Sequence, residues 1–517
     1  MKPKEPQRAG VIDIGTNSIK LLVAEESEAK IKVLESLKNV VQLGKDTFFK
    51  DRISQESINR TVSILEKYVA ILKEYEVTNV RVIATTAVRE AQNKDVFVDT
   101  VFRRTGFNIE ILTPGDVVYF IDAYLYHTLK DKYPLHDKNL LITELGGGSL
   151  DISLMAHGFT LMNVGLPLGT LRLMQFISRL DGTTFENYEA ATESIESEFA
   201  YLKRSLPAIS IDDILLIDES HSSYLSAVLP KRTLQGEFFQ ITQADTQELT
   251  EKVLNRSPED ISAEYKIPIE TANTFAGFVI ILNTLITFIE SKTIYILEAS
   301  LAEAIVTNEA MDYEISQKYN KANQLISIAI SAGRKYGVDL EHARQVAQLS
   351  DTLFDLFKEI LGLKKTDSLY LTLAAYLHDI GMFIYNRAHH KHSEYIISSI
   401  DWFRLSSEEV KIIACIARYH RKGAPAYTHP LYWSLPPAKQ ILVQKLSSIL
   451  KIANALDRSH RQKVKKIEIK INRSNEITLL VTVQGNFILE KIDFTEKKGM
   501  FEELSGNKLT LKIQSAL

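Results

Sequence analysis

Two short glycine-containing loops constrain the fold of this chain more than any other feature. The first is Asp13–Ser18 (DIGTNS) and the second is Glu144–Ser149 (ELGGGS). Apolar runs flank both loops, which predicts a strand, a tight turn and a second strand at each place. Glycine lets the backbone approach an anion closely, and successive N–H groups in such a turn can hold phosphate oxygens. Two such loops in one chain therefore predict a two-lobed fold with a phosphate-binding cleft.

Bulk composition narrows the class of protein and of partner. The chain has 517 residues, of which 45% are hydrophobic and 24% charged, and its formal net charge is −4. The weak negative charge gives no general attraction to nucleic acid or to an anionic membrane, so we expect neither as a partner. Its one cysteine, Cys415, excludes an internal disulfide, and its N-terminus lacks the apolar core of a signal peptide. These features favour a cytoplasmic protein.

The pattern of apolar residues predicts four regions. Residues 1–130 and 131–305 alternate strands with helices, 310–465 is almost wholly helical, and 466–517 returns to strands. The segment 271–289 is the most apolar, but its threonines and asparagines favour a buried core helix over a membrane span. One face of another helix is predicted by apolar residues at steps of three and four, namely Ile58, Val62, Leu65, Val69 and Leu72.

Several motifs, in their order along the chain, resemble those of the exopolyphosphatase/guanosine pentaphosphate phosphohydrolase (Ppx/GppA) family. Besides the two loops, these motifs lie at 84–89 (ATTAVR), 165–173 (GLPLGTLRL), 389–393 (HHKHS) and 418–422 (RYHRK). The resemblance implies an α/β actin-like (ASKHA) two-lobed fold, followed by an all-α HD-like domain and a small α/β C-terminal cap. It also implies a homodimeric hydrolase that cleaves terminal phosphoanhydride bonds of inorganic polyphosphate or pppGpp with Mg²⁺ (or Mn²⁺) and water.

The resemblance also implies roles for residues of the cleft. Both loops would hold phosphate through Asp13, Gly15, Thr16, Asn17, Ser18, Gly146, Gly147, Gly148 and Ser149. Asp13 and Glu144 would bind the cleft metal ion, because phosphoryl transfer requires charge neutralisation at the phosphoryl oxygens and an aimed water. The catalytic set would comprise Glu144, Asp151, Asp116 and Arg89, whose planar guanidinium can clamp a phosphate oxygen.

The chain departs from the family pattern at its acidic positions. Glu144 stands where the family has Asp, and Asp151 stands where it has Glu. The position of the family's water-activating glutamate falls on Val117, and on a helix the adjacent Asp116 would point about 100° away. Two further family loops are altered, at 218–222 and 301–304. An alternative is therefore a catalytically impaired regulator that binds polyphosphate or an alarmone.

The helical region carries a second group of candidate site residues. His342, His378, Asp379 and Asp457 follow an order that resembles the metal site of HD phosphohydrolases. Imidazole and carboxylate ligands suit a divalent transition metal or Mg²⁺, which can turn a bound water into a nucleophile. We therefore expect a second divalent metal in an HD-like site, and a further alternative is an HD-domain phosphohydrolase with the lobes as a sensor. Additional ligands or phosphate donors can come from His389, His390, His392 and His420.

Basic residues concentrate near these histidines. Such a local excess predicts either a positively charged groove for a polyanion or an ordinary solvated face. The residues are Arg387, Lys391, Arg418, Arg421, Lys422, Arg458, Arg461, Lys463, Lys465 and Lys466.

Overall fold

The chain divides into two compact units, 1–320 and 321–517. The computed structural model describes residues 7–27, 30–129, 132–230, 234–235, 238–289, 293–310, 319–421, 423–426, 428–472 and 476–515. The first unit contains both α/β lobes, and the second contains the helical region with the C-terminal strands. The finer division into four domains stays a prediction.

The first lobe is built on one mixed sheet. Its strands are β1 (Gln7–Ile14), β2 (Ser18–Ser27), β3 (Lys30–Val40), β4 (Asn79–Ala84) and β5 (Ile109–Ile111). They lie in the order β3-β2-β1-β4-β5, with β1 to β3 antiparallel and β4 and β5 parallel to β1. The sheet therefore places the turn between β1 and β2 beside the carboxyl end of β4.

The second lobe repeats this topology. Its strands are β6 (Asn139–Leu145), β7 (Leu150–Ala156), β8 (Phe159–Leu166), β9 (Asp213–Ile217), β10 (Leu234–Gln235), β11 (Phe238–Thr242) and β12 (Thr293–Leu297). In the order β10-β11-β12-β9-β6-β7-β8, β6 to β8 are antiparallel while β9 and β12 run parallel to β6. The prediction of two related α/β lobes is confirmed by this shared strand order.

Helices cover both sheets of the first unit. They are α1 (Leu43–Lys50), α2 (Gln55–Glu74), α3 (Thr86–Glu90), α4 (Lys94–Thr105), α5 (Pro114–Thr128), α6 (Thr170–Ile177), α7 (Thr184–Ser205), α8 (Leu225–Val228), α9 (Gln243–Val253), α10 (Pro258–Tyr265), α11 (Ile269–Phe288) and α12 (Leu301–Ala310). Helix α11 is long and apolar enough to cross a membrane, yet 72% of its most apolar window is buried inside the protein. The prediction of a buried core helix is thus confirmed. The predicted face of α2 is confirmed at four of its five positions. It is wrong at Val69, which is 36% exposed, and the neighbouring Tyr68 is buried instead.

The second unit is a helical domain with a small sheet. Its helices are Lys321–Lys335, Leu340–Leu361, Ser368–Leu377, His389–Ser398, Ser407–Arg418, Pro430–Trp433 and Pro437–Leu456. Strands β13 (Val464–Asn472), β14 (Glu476–Val483) and β15 (Lys508–Ser515) follow, with helices Ile488–Lys497 and Gly499–Ser505 between the last two strands. Both of these helices pack on helix Pro437–Leu456, so the C-terminal sheet is joined to the helical domain.

Candidate active-site cleft and histidine cluster

The two glycine loops form the same turn in the two lobes. The N–H of Gly15 donates to the carbonyl of Ser18 at 3.0 Å, and the N–H of Gly146 donates to the carbonyl of Ser149 at 3.0 Å. Both loops line one cleft in the first unit. The duplicated fold therefore presents two equivalent turns to the same space.

Glycine at position 148 lets the two loops approach each other. A Cβ at Gly148 would lie 2.7 Å from Thr16 Oγ1 and 2.8 Å from the ring of Phe48. None of the glycines in these loops has a positive φ, so the requirement here is space and not a left-handed backbone. Within the described part of the chain, the N–H groups of Gly147 and Gly148 donate no hydrogen bond. They can therefore bind oxygens of an anion.

The acidic residues at the two turns have different cross-strand partners. Asp13 lies opposite Lys20 in the β1–β2 ladder, whereas Glu144 lies opposite Asp151 in the β6–β7 ladder. All four side chains line the cleft. Asp13 Oδ1 and Asp151 Oδ1 are buried and make no hydrogen bond with any described residue. Two carboxylates opposite each other in the second lobe repel, so a cation would stabilise them.

Burial shifts the pKa values of these acids upward. It raises the pKa of Asp13 to about 6, although Lys20 partly offsets the effect. It also raises the pKa of Asp151 to about 6, with Arg89 acting in the opposite direction. The pKa of Glu144 is well above its usual range because of burial and the neighbouring Asp151. Because a nearby cation favours the ionised form, these carboxylates fit a divalent metal ion.

A hydrogen-bond network connects Arg89 to Asp151. The guanidinium of Arg89 donates to Thr86 Oγ1 at 3.2 Å and to the carbonyl of Leu112 at 2.8 Å. The hydroxyls of Thr86 and Ser149 lie 2.8 Å apart, and the Ser149 hydroxyl donates to Asp151 Oδ2 at 3.2 Å. Arg89 does not itself line the cleft. It is connected to Asp151 through Thr86 and Ser149, and its role as a phosphate clamp stays a prediction.

The structure does not bring Asp116 into the cleft. Its carboxylate accepts hydrogen bonds from the N–H of Thr113 at 3.1 Å and from its hydroxyl at 2.8 Å, which forms a capping box at the start of α5. Val117 is buried and lines the cleft one residue further on. As the helical geometry predicted, Asp116 and Val117 face different directions. The apolar Val117 cannot accept a proton from water.

The cleft also contains residues that were not predicted. Lys20 forms an ion pair with Glu219, and its Nζ lies 3.9 Å from Asp13 Oδ2. His221 Nδ1 lies 2.9 Å from Asp218 Oδ2, and its Nε2 lies 2.9 Å from Thr274 Oγ1. The altered loop at 218–222 is thus held by side-chain contacts in place of the family's glycines. The position of Lys20 on the same strand face as Ser18 was a signal that could have identified it.

A cluster of histidines surrounds Asp379 in the second unit. Asp379 Oδ1 lies 3.1 Å from His389 Nε2 and 3.4 Å from His420 Nε2, and Asp379 Oδ2 lies 3.4 Å from His378 Nε2. These residues lie on or directly after the helices Ser368–Leu377, His389–Ser398 and Ser407–Arg418. The structure therefore brings together His378, Asp379, His389 and His420, as the sequence suggested. His390 and His392 are not part of the cluster's candidate metal-binding groups.

His342, Asp457 and His460 complete the cluster. His342 Nδ1 lies 2.8 Å from Asp457 Oδ2, and the ring of His460 stacks on the ring of His342 at 3.6 Å. Potential ligand atoms of His342, Asp379 and His460 lie within 4.8 Å of one another. Asp457 thus contacts His342 through its Nδ1 and is not itself part of this group. His460 was missed from the sequence because it lies outside the H…HD…D pattern.

Burial favours the neutral form of two imidazoles of this cluster. It lowers the pKa of His378 to about 4 and holds the pKa of His420 well below its usual range. For Asp379 burial acts to raise the pKa, but the surrounding histidines hold it well below its usual range. Neutral imidazoles and an ionised carboxylate are the forms that bind metal ions.

Several basic residues near the cluster are neutralised by partners. Arg418 is buried and pairs with Glu394, while Lys463 pairs with Glu490 at 3.1 Å. Lys466 pairs with Glu468 at 2.9 Å. Lys422 lies outside the described residues. The exposed remainder consists of Arg387, Lys391, Arg421, Arg458, Arg461 and Lys465.

The protein thus combines a two-lobed α/β fold, which carries paired anion-type loops, with a helical domain. The sequence profile of the Ppx/GppA phosphatase family matches residues 22–313, and that of Ppx/GppA phosphatase, domain III, matches residues 326–498. The chain belongs to the Ppx/GppA phosphatase family.

Curated relatives extend over most of the chain at low identity. A guanosine-5'-triphosphate,3'-diphosphate pyrophosphatase from Aliivibrio fischeri (strain MJ11) is 21% identical over 493 residues, which cover 93% of both chains. A protein of the same name from Vibrio atlanticus (strain LGP32) is 22% identical over 484 residues, with the same coverage of 93%.

Solved structures match about three fifths of the chain. An exopolyphosphatase from Cytophaga hutchinsonii has a TM-score of 0.53 at 18% identity and covers 60% of this chain and 99% of its own. The Aquifex aeolicus Ppx/GppA family member has a TM-score of 0.50 at 19% identity and covers 59% of this chain and 98% of its own. This likeness shows that the actin-like fold is shared.

Proposed function

We propose that this protein is a phosphoanhydride hydrolase that releases the terminal phosphate of inorganic polyphosphate or of pppGpp in the cleft of the first unit. The observation that carries the proposal is the juxtaposition of two equivalent anion-type loops with three acids, the buried Asp13 and Asp151 and the half-buried Glu144. The names of the relatives, a pppGpp pyrophosphatase and an exopolyphosphatase, support this substrate class.

The cleft acids fit a divalent cation, which we propose to be Mg²⁺ or Mn²⁺. Asp13 and Glu144 would hold it, since both have raised pKa values and Asp13 Oδ1 makes no hydrogen bond with a described residue. Among the described residues, the cleft acids do not converge within 4.8 Å as a group of three. This suits Mg²⁺, which usually takes one or two carboxylates together with water and substrate phosphate oxygens. When bound, the ion would neutralise charge on the phosphoryl oxygens.

The loops would bind the phosphate chain through their backbone. The second lobe offers the N–H groups of Gly147 and Gly148, which donate to no described residue, and the hydroxyl of Thr16 in the first lobe lies close to Gly148. Hydrogen bonds from both lobes would fix the terminal phosphoryl group and orient its bridging oxygen as the leaving group. Such positioning supplies most of the catalysis in phosphoryl transfer.

Asp151 is the group that we propose as the acceptor of the water proton. It lines the cleft, its Oδ1 makes no hydrogen bond with a described residue, and its pKa of about 6 leaves it mainly ionised at neutral pH. A base with a pKa near the working pH is efficient. In the reaction, the water oxygen bonds to the terminal phosphorus, the bridging P–O bond breaks, and the water proton passes to Asp151. Ser149 and Arg89 would position this carboxylate.

The test compares two substitutions, one in each unit. Glu144→Gln should reduce release of inorganic phosphate from long-chain polyphosphate and from pppGpp at least 100-fold, because loss of a cleft carboxylate weakens charge neutralisation. Asp379→Asn should leave the rate within about twofold. Release is measured with Mg²⁺ and then with Mn²⁺, and Glu189→Gln, at an exposed position on α7, is the matched control.

Other outcomes would support the alternatives. If Asp379→Asn abolishes release and Glu144→Gln does not, the chemistry belongs to an HD-type phosphohydrolase site in the second unit. If the unsubstituted protein binds polyphosphate or pppGpp tightly and releases no phosphate with either metal, the protein is a regulator. Both results would contradict the proposal for the cleft.

A further inference from the structure

The turn that follows β9 is held in place by buried side chains. The carboxylate of Asp218 accepts hydrogen bonds from the N–H groups of His221 at 2.6 Å and of Ser222 at 2.8 Å. The ring of His221 contacts Asp218 Oδ2 through Nδ1 and Thr274 Oγ1 on α11 through Nε2, at 2.9 Å each. Asp218 and His221 are both buried. Glu219 lies inside this turn, so its backbone has a fixed position at the edge of the cleft.

The side chain of Glu219 is held less firmly than its backbone. Its carboxylate forms an ion pair with the ammonium group of Lys20, and among the described residues it makes no other hydrogen bond. The side chains of Lys20 and Glu219 are 19% and 31% exposed, so water reaches the pair. Lys20 lies on β2 of the first lobe and Glu219 lies just beyond β9 of the second, so the pair spans the cleft. Ion pairs in contact with water contribute little to stability, so a competing anion can displace the carboxylate.

Lys20 is a cation beside the first glycine loop. Within the described part of the chain, Lys20 and Lys38 are the lysine and arginine residues that line the cleft, and they lie opposite each other on β2 and β3. Lys20 shares a face of β2 with Ser18, the last residue of the loop. Burial acts to lower the pKa of Lys20, but Glu219 and Asp13 outweigh burial and raise that pKa above its usual value. Lys20 is therefore charged, and Glu219 already occupies it.

Acids outnumber the lysines in the cleft. The acids that line it among the described residues are Asp13, Glu144, Asp151, Glu219 and Glu270. Carboxylate and phosphate oxygens are the same kind of acceptor for an ammonium group, so Glu219 offers Lys20 the partner that a phosphate chain would offer. Because a phosphate chain is attracted by unpaired cations, the ion pair with Glu219 weakens the attraction that Lys20 exerts.

We propose that Glu219 sets the affinity of the cleft for phosphate chains by competing with them for Lys20. An entering chain displaces the carboxylate, and one of its phosphate oxygens takes the carboxylate's place on the ammonium group. The fixed backbone of the turn keeps Glu219 within reach of Lys20, so the ion pair forms again when the chain leaves. This role of Glu219 rests on the proposed function of the cleft, and it adds a residue that limits substrate binding there.

The experiment measures binding without turnover. The probe is a triphosphate analogue with methylene groups in place of both bridging oxygens, and calorimetric titration of the full chain in excess Mg²⁺ gives its Kd. Glu219→Gln should bind the analogue about tenfold more tightly, because a charge-assisted hydrogen bond no longer has to be broken. Lys20→Gln should bind it about tenfold more weakly, because it lacks the ammonium group. The double variant should bind like Lys20→Gln alone, since Glu219 acts through Lys20.

Glu270→Gln is the matched control. Glu270 also lines the cleft, is exposed, and makes no ion pair with a described residue. Its substitution removes the same charge from the cleft and leaves the pair of Lys20 with Glu219 intact. The Kd should stay within about twofold, because water and salt screen an exposed charge. In assays of phosphate release, Glu219→Gln should lower KM more than it changes kcat.

Three results would overturn the role of Glu219 while the proposed function of the cleft stands. The first is the same Kd for Glu219→Gln and the unsubstituted protein, and the second is weaker binding by Glu219→Gln. The third is an equal gain in affinity from Glu270→Gln, or from Glu219→Gln in the Lys20→Gln background, which would assign the gain to general charge repulsion. If the analogue binds to neither the unsubstituted protein nor Glu219→Gln, the proposed function fails, and this role fails with it.

Discussion

Burial favours the neutral form of titratable groups both in the cleft of the first unit and in the histidine cluster of the second, but it shifts their pKa values in opposite directions. In the cleft, burial raises the pKa values of Asp13 and Asp151 to about 6. In the cluster, burial lowers the pKa of His378 to about 4. Burial disfavours the charged form of both kinds of group. In the cluster it favours the neutral imidazoles that bind a metal ion, whereas in the cleft a nearby cation would be needed to restore the ionised carboxylates. The oxygen-rich cleft suits a hard ion, and the mixed cluster suits a transition metal.

The two sites also differ in how far the protein itself holds their ligands. The outer nitrogens of the cluster's rings are engaged, for example His420 Nδ1 with the carbonyl of Ala417 and His342 Nδ1 with Asp457. In the cleft, one oxygen each of Asp13 and Asp151 makes no hydrogen bond with a described residue. The cluster is therefore prearranged, whereas the cleft leaves acceptor oxygens open. Substitutions in the cleft should accordingly change the rate of phosphate release more than they change the fold.

The largest expected effect in the cleft follows from removing its proton acceptor. Asp151→Asn should lower kcat for phosphate release about 100- to 10,000-fold, the usual contribution of general-base catalysis. KM should change little, because the loops that bind phosphate remain. Steady-state kinetics on polyphosphate at saturating Mg²⁺ measure both. A decrease in kcat of less than threefold would show that another group accepts the proton. The acids of the cleft would then serve only as candidate metal ligands, like those of the cluster.

Although Asp151→Asn should lower kcat, it should increase the stability of the folded protein. Because the folded-state pKa of Asp151 is raised from 3.8 to about 6, its contribution to stability is fully present below pH 3.8 and is lost as the pH rises through about 6. Ionisation at pH 8 then costs up to roughly 3 kcal/mol in the absence of a cation.

Asp151→Asn should therefore raise the free energy of unfolding by about 1–3 kcal/mol at pH 8 and by less at pH 5. Urea unfolding in chelator at both pH values measures this difference, and added Mg²⁺ should reduce it. A variant that is less stable than the unsubstituted protein at pH 8 would show that the hydrogen bond from Ser149 outweighs the burial of charge.

The main features of the fold were accessible from the sequence because their signals are local. Glycines between apolar runs identified both turns, and the repeated pattern identified two related lobes, which the strand order confirms. Position 148 shows the limit of that reasoning. The sequence indicated a backbone that approaches an anion, but it could not show that the missing Cβ also makes room for Thr16 from the other lobe.

The site residues that were missed depend on contacts that are distant in the sequence. Lys20 is the cross-strand partner of Asp13 and occupies the position that Asp151 holds in the second lobe. The strand register shows that equivalence. His460 joins the cluster through a turn after Asp457 and stacks on His342, which is far away along the chain. The motif gives the order of the candidate ligands along the chain, but it does not determine which other side chains pack against them.

The smallest expected effect is that of substituting Asp116. This acid caps a helix, whereas Asp151 is the acid proposed to take part in the chemistry. Its carboxylate accepts two hydrogen bonds from Thr113 in the capping box of α5. Asp116→Asn should therefore leave phosphate release within twofold and lower the free energy of unfolding by about 0.5–1 kcal/mol. Thr113→Ala is the matched control, since it disrupts the same cap and keeps the carboxylate. If Asp116→Asn reduces release more than tenfold while Thr113→Ala does not, Asp116 takes part in the chemistry, and the assignment of the base to Asp151 is wrong.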